Sequence, residues 1–261
     1  MTDLIQTEPD SNSICSVILN RPDRRNALSI EMLKQLNATL CQLETAPECR
    51  VVVLRATGNV FSAGLELQEA VDPDRTAESA RCLAECMRTI QLSSLVVVAA
   101  VQGGAHAGGA ALVASCDIVI ADTNAELVFP AARRGLLPSL ILDVIRSRVR
   151  DGDLRDLFLT GLPANAATAQ RMGLIQRVVA PGELLAEAGR VARAVTEGAP
   201  ETIRQTKAMI RGINSPHSTS DTAFANSIAG HLEGQNSDEA REGIASFLEK
   251  RDPFWKEQSG P

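Results

Sequence analysis

The sequence predicts an α/β fold, on three observations. Apolar, β-branched-rich runs recur at Arg50–Ala56, Leu95–Val101 and Asp117–Ala121 without polar alternation, the pattern of strands buried on both faces of a parallel sheet. Segments of helical periodicity separate and follow them, which is the alternation that places helices against a parallel sheet. A chain of 261 residues, 44% of them hydrophobic, can bury a substantial core as one large domain or one domain with an appendage.

The elements can be justified in chain order. Ser13–Asn20 reads as a strand, closed by the turn residues Arg21-Pro22-Asp23. Ser29 then caps a helix whose apolar face is Ile30, Met32, Leu33, Leu36 and Leu40. Arg50–Ala56 is the next strand, and Thr57-Gly58-Asn59 turns the chain after it. The strand Leu95–Val101 runs into a small-residue loop and an apolar helix beginning at Gly108-Gly109, whose first-turn amides have no partners inside the helix and can hold an anion. Asp117–Ala121 follows as a strand. Beyond about residue 150 one helix ends at Gly161 and another, Ala164–Met172, ends at Gly173. Leu174–Val179 is a last strand, and from Pro181 onward the pattern is amphipathic helix, interrupted near Gly212–Pro216. Residues 1–200 are therefore expected to form the core and 201–261 a helical tail.

Composition excludes several functions. No run approaches eighteen apolar residues and the start has no signal-peptide pattern, so a soluble, cytoplasmic protein without membrane contact is expected. Six scattered cysteines read as buried free thiols. Cys82 and Cys86 share a helical face but have no ligand-type neighbours, so packing is expected there and no metal site. A net charge of −6 with no basic face argues against nucleic acid.

Four segments carry a resemblance that spans nearly the whole chain. They are Asn20-Arg21-Pro22 with Asn26-Ala27-Leu28, then Phe61-Ser62-Ala63-Gly64-Leu65-Glu66, then the loop Ala100–Ala111 with Ala114-Ser115-Cys116-Asp117, and finally Glu242–Phe254. In this order and spacing the sequence resembles the crotonase (enoyl-CoA hydratase/isomerase) superfamily. The resemblance implies a spiral of β-β-α units with a C-terminal helical trimerisation region, assembly as a homotrimer or hexamer, and a coenzyme A thioester as substrate or ligand with no further cofactor.

It also implies where the site lies. By position, the two backbone N–H groups that hold the thioester oxygen fall on Leu65 and Gly108, a role that suits enolate stabilisation because preorganised amides need no reorganisation. Arg24 and Arg25 are candidates for the coenzyme A phosphates, with Ala27 and Ala63 on the same binding segments. Lys250 is a further candidate from a neighbouring subunit, and Phe247 and Phe254 for flanking the adenine. Gln68 stands where a nucleotide-binding lysine is common. The two glutamates that hydratases of this family use as acid and base are replaced by Ala111 and Ala131. Of the remaining groups, His106 either packs outside the loop or titrates in the site, and Glu66 either holds the loop or acts as a substitute base. Ser139, with Asp143 one turn beyond, occupies the region where some relatives keep an acid. Arg133 and Arg134 either sit on a helix surface or pair with an acidic acyl group. His217 and His231 lie in the tail, and the absence of tyrosine rules out a phenolic acid. Weak or absent hydration is thus expected from an acyl-CoA enzyme, with a non-catalytic acyl-CoA binder, a decarboxylase or a thioesterase as alternatives.

Overall fold

The computed structural model describes residues 3–10, 13–213, 234 and 237–257. Its main sheet has six strands: β1 (Ile5–Asp10), β2 (Ile14–Leu19), β3 (Val51–Ala56), β4 (Val96–Val101), β6 (Ile118–Asp122) and β9 (Arg177–Val179), adjacent in that order. β2, β3, β4, β6 and β9 pair in parallel, while β1 pairs antiparallel with β2. β4 is buried at every residue, which is why its sequence reads as an unbroken apolar run. β1 has no such signal. Five of its six residues are exposed, and Pro9 lies in it, a residue confined to strand edges because it has no N–H to donate.

A second, three-stranded sheet, β5 (Gly104–His106), β7 (Glu126–Val128) and β8 (Ala164–Asn165), stands beyond the ends of the main strands. Each pass of the chain thus adds a long strand, a short one and often a helix. Three helices pack close to this junction: α1 (Ile30–Glu44), α2 (Pro73–Leu92) and α3 (Gly108–Ser115). Ser29 caps α1 by accepting the Met32 amide at 3.2 Å, and the five apolar residues expected on its inner face are all buried. α2 is capped by Asp72 with Pro73 at its first turn and buries Leu83, Met87 and Ile90 as well as Cys82 and Cys86. The glycine stops hold: Gly161 has φ +62° and Gly173 φ +92°, although the last strand spans only Arg177–Val179.

Asn26 ties the first turn to the site. It is fully buried at φ +50°, a conformation asparagine tolerates better than most residues. Its Nδ2 donates to the carbonyls of Thr57 and Val60, both at 2.8 Å, and its Oδ1 accepts the Arg21 amide at 2.8 Å. Asn26→Ala removes three bonds and strands buried backbone groups, and is expected to destabilise the protein by about 3–5 kcal/mol, read from the midpoint of denaturant unfolding.

The remaining helices are α4 (Ser139–Ile145), α5 (Asp151–Arg155), α6 (Ala166–Met172), α7 (Leu184–Thr196), α8 (Pro200–Ile213), α9 (Asp238–Glu249) and α10 (Phe254–Glu257). The tail folds back on its own chain. Lys207 Nζ meets Asp117 at 2.8 Å and the carbonyls of Leu95 and Ile90, the Glu239 carboxylate caps α8 through the Glu201 and Thr202 amides, and Trp255 donates to Glu197 O. The interruption expected near Gly212–Pro216 lies outside the described residues from position 214 on, as do His217 and His231. No helix among the described residues is long and apolar enough to cross a membrane.

All six cysteines are free thiols, but Cys41 is exposed, so burial holds for five of them. Burial pushes the thiols of Cys49, Cys86 and Cys116 up to about 12. One rapidly reacting thiol per chain, lost in Cys41→Ser, is therefore expected when the folded protein is titrated with a chromogenic disulfide at pH 8.

Candidate active site

The junction between the two sheets is a cleft of about 980 Å³. Its walls come from the turn after β2, the Phe61–Leu67 segment, α2, the β5–α3 loop and the segment from Pro130 to Ile141. What defines its floor is a pair of backbone amides. Leu65 bridges Leu28 in parallel, with Leu28 N donating to Gly64 O at 2.8 Å and Glu66 N donating to Leu28 O at 3.1 Å. The Leu65 N–H itself therefore points to the opposite side, toward α3. Ser62 bridges Ala105 on β5, which fixes this segment against the loop that carries Gly108.

Gly108 is the first residue of α3, and its N–H has no helical acceptor. Among the described residues no acceptor takes either amide. The two lie side by side: a methyl group built on Gly108 would sit 3.6 Å from Leu65 N, and one on Gly64 would sit 3.5 Å from Gly108 N. Ala107, just before, is held at φ +47°, ψ −113° while its amide donates to Val128 O at 2.8 Å. This strained backbone turns the chain from β5 into α3 and so sets where the Gly108 amide points.

The other sequence-derived candidates separate into those the cleft collects and those it does not. Arg24, Arg25, Ala27 and Ala63 all line it, and neither arginine has an acidic partner among the described residues. Ala131 lines it too. Ala111 does not: it is fully buried inside α3, and its carbonyl accepts the Ser115 hydroxyl at 2.8 Å. Lys250 and Phe247 are exposed on the C-terminal side of α9 and do not reach the cleft of their own chain, so their assignment to coenzyme A depends on another copy. Phe254 is likewise outside, set edge-on to Trp255. Gln68 is exposed and off the wall, and Asp143 pairs with Arg146 at 3.0 Å outside the cleft, while Ser139 lines it.

Glu66 and His106 differ in a useful way. The Glu66 carboxylate accepts Arg21 Nη1 at 2.8 Å, and that same nitrogen donates to Ala27 O, so the acid clasps the turn that carries Asn26 and Ala27. His106 is not packed on the outer side of the loop. It lines the cleft, with Nε2 3.4 Å from the Glu126 carboxylate. Gly104 and Glu126 are register partners on β5 and β7, and the imidazole folds back over Gly104, where a methyl group would come within 2.5 Å of Nε2.

Arg133 turns away to donate to Thr160 O at 2.7 Å, whereas Arg134 lines the cleft without an acidic partner among the described residues. Glu126 and four leucines of the wall, Leu67, Leu136, Leu137 and Leu140, were not anticipated from the sequence. The turn that presents two of these leucines closes on Ala131, whose carbonyl accepts the amides of Arg134 and Leu136, with Gly135 at φ +68°.

Comparison with known proteins gives one consistent answer. The family model described as enoyl-CoA hydratase/isomerase matches residues 9–258. The mitochondrial enoyl-CoA hydratase domain-containing protein 3 of Danio rerio is 34% identical, over 92% of this chain and 83% of that protein. Mevalonyl-coenzyme A hydratase of Aspergillus fumigatus is 30% identical, over 93% of this chain and 91% of that one. Among solved structures, an enoyl-CoA hydratase of Mycobacterium smegmatis superposes with a TM-score of 0.91 at 29% identity, covering 98% of this chain and 100% of that one.

Proposed function

The chain belongs to the enoyl-CoA hydratase/isomerase, or crotonase, family, and on that premise we propose that it is an acyl-CoA enzyme that stabilises a thioester enolate. What carries the reading is the adjacency of two amides, Leu65 N–H and Gly108 N–H, on the floor of the cleft with no protein acceptor among the described residues. Loss of a proton, or of another electrofugal group, from the carbon next to a thioester places negative charge on the carbonyl oxygen. Two fixed donors in a partly dry site oppose that charge without reorganising. Arg24 and Arg25, at the rim of the same cleft, would meet the phosphates of coenzyme A.

The proton chemistry is the unusual part. Alanine at 111 and 131 leaves neither acid nor base at the positions that relatives use for hydration. Glu66 is held by Arg21, so His106, the one imidazole among the described residues of the wall, with Glu126 behind it, is the group best placed to exchange a proton with the cleft. A second reading, thioester decarboxylation, is favoured by Arg134: a guanidinium with no described acidic partner can orient a carboxylate. That carboxylate leaves as carbon dioxide, its bonding pair becomes the enolate, and no enzymic base is required. Assembly as a homotrimer or hexamer and a cytoplasmic setting accompany the proposal.

Titration calorimetry with butanoyl-CoA and malonyl-CoA, with carbon dioxide and free thiol followed in parallel, tests it. Binding with carbon dioxide release marks the decarboxylase, thiol release marks a thioesterase, and binding without either leaves enolisation or simple binding. A complex in which the thioester oxygen lies away from Leu65 N and Gly108 N overturns the assignment.

A further inference from the structure

Leucine is normally withdrawn from water, yet four leucines on the walls of this cleft are left open. Leu67 is 69% exposed, Leu136 61%, Leu137 89% and Leu140 41%, and all four line the cleft that has Leu65 and Gly108 at its floor. They come from two distant parts of the chain, so the patch is made by the fold and not by one apolar run. The turn that closes on the Ala131 carbonyl carries Leu136 and Leu137 outward next to the position where relatives place a polar catalytic group. Contiguous exposed apolar surface of this kind marks a binding surface.

We propose that this leucine wall receives an alkyl chain of eight or more carbons, so that the substrate class is medium- to long-chain acyl thioesters. The inference rests on the acyl-CoA reading given above and adds the length and polarity of the acyl group to it. Continuity decides the occupant. A thioester whose oxygen lies on the two amides directs its acyl carbon into the same cleft, and an alkyl tail leaving that point runs onto the leucines. A short acyl group leaves them wet.

Full burial of one methylene is worth about fourfold in affinity. On an open wall about half of that is realised, roughly twofold per methylene. Calorimetry with butanoyl-, octanoyl- and dodecanoyl-CoA, each below its micelle concentration, is therefore expected to give at least about a hundredfold tighter binding for dodecanoyl than for butanoyl. In the double variant Leu67→Ser/Leu137→Ser the gain shrinks to less than about tenfold, with circular dichroism and light scattering confirming an unchanged fold and assembly. Equal affinities for the three esters in the original protein overturn the inference while leaving the acyl-CoA reading intact. A full chain-length gain that persists in the double variant overturns it as well, and so does a change of assembly in the variant, which assigns the leucines to a second copy of the chain. Failure of all three esters to bind removes the acyl-CoA reading itself.

Discussion

Purified protein is expected to hydrate crotonyl-CoA at least about a thousandfold more slowly than a family member with both glutamates. General acid and base groups each contribute roughly 10²–10⁴ to such a step, and both positions here carry a methyl group. The two losses differ structurally. Ala131 lies in the cleft wall, partly open, so a glutamate there could reach solvent and substrate. Ala111 is fully buried in α3, a helix with every residue buried, and a carboxylate forced into that packing must be desolvated. Ala131→Glu is therefore expected to fold and to recover part of the hydration rate. Ala111→Glu is expected to lower the unfolding midpoint. Stopped-flow loss of the enoyl chromophore measures the first and a denaturant titration the second. Rapid hydration by the unmodified protein would sink the idea and make His106, with Glu126 behind it, the first residue to substitute.

Sequence reasoning reached the main sheet because β2, β3, β4 and β6 are buried on both faces, which leaves an unmistakable apolar run. It missed β5, β7 and β8, since strands of three, three and two residues are too short to carry any period. The helix α2 was reached only as the shared face of Cys82 and Cys86, although Asp72-Pro73 is a readable start and Leu83, Met87 and Ile90 extend the stripe. Site residues divide on the same physical line. Leu65 and Gly108 could be named through the resemblance, because each lies in a short glycine-bearing segment that is contiguous in the sequence. Glu126 and the leucines of the wall could not, because they belong to the site only through the pairing of β5 with β7 and through the turn on Ala131. The two placements that the sequence leaves open for His106 are decided for a related reason: strand β5, paired with β7, and the open space over Gly104 fold the imidazole into the cleft.

A single methyl group at Gly64 is expected to act directly on the amide pair. Its φ of +92° strains any L side chain, and a Cβ there would lie 2.7 Å from His106 O and 3.3 Å from Ala107 Cβ, with neither backbone free to yield cheaply. Relief requires the Leu65 segment and the β5–α3 loop to move apart, which separates the two amides. Losing one such donor costs roughly 3–4 kcal/mol of barrier, a hundred- to a thousandfold in any step that passes through the enolate. The measurement that isolates this from general damage is the infrared carbonyl stretch of a ¹³C-labelled acyl-CoA, which two hydrogen bonds lower on binding. Gly64→Ala is expected to return that band toward its position in water and to weaken acyl-CoA binding. Gly108→Ala is the informative contrast, because it keeps its N–H and the tight contacts of its new methyl group are with side-chain atoms, Leu83 Cδ2 at 3.1 Å and Leu65 Cγ at 3.3 Å, while Leu65 N stays at an ordinary 3.6 Å. Those side chains can shift, so the lowered stretch is expected to persist while the cleft narrows. If both variants keep the shift, the carbonyl is polarised elsewhere; if both lose it, the Gly108 site depends on its open space and not on its amide alone.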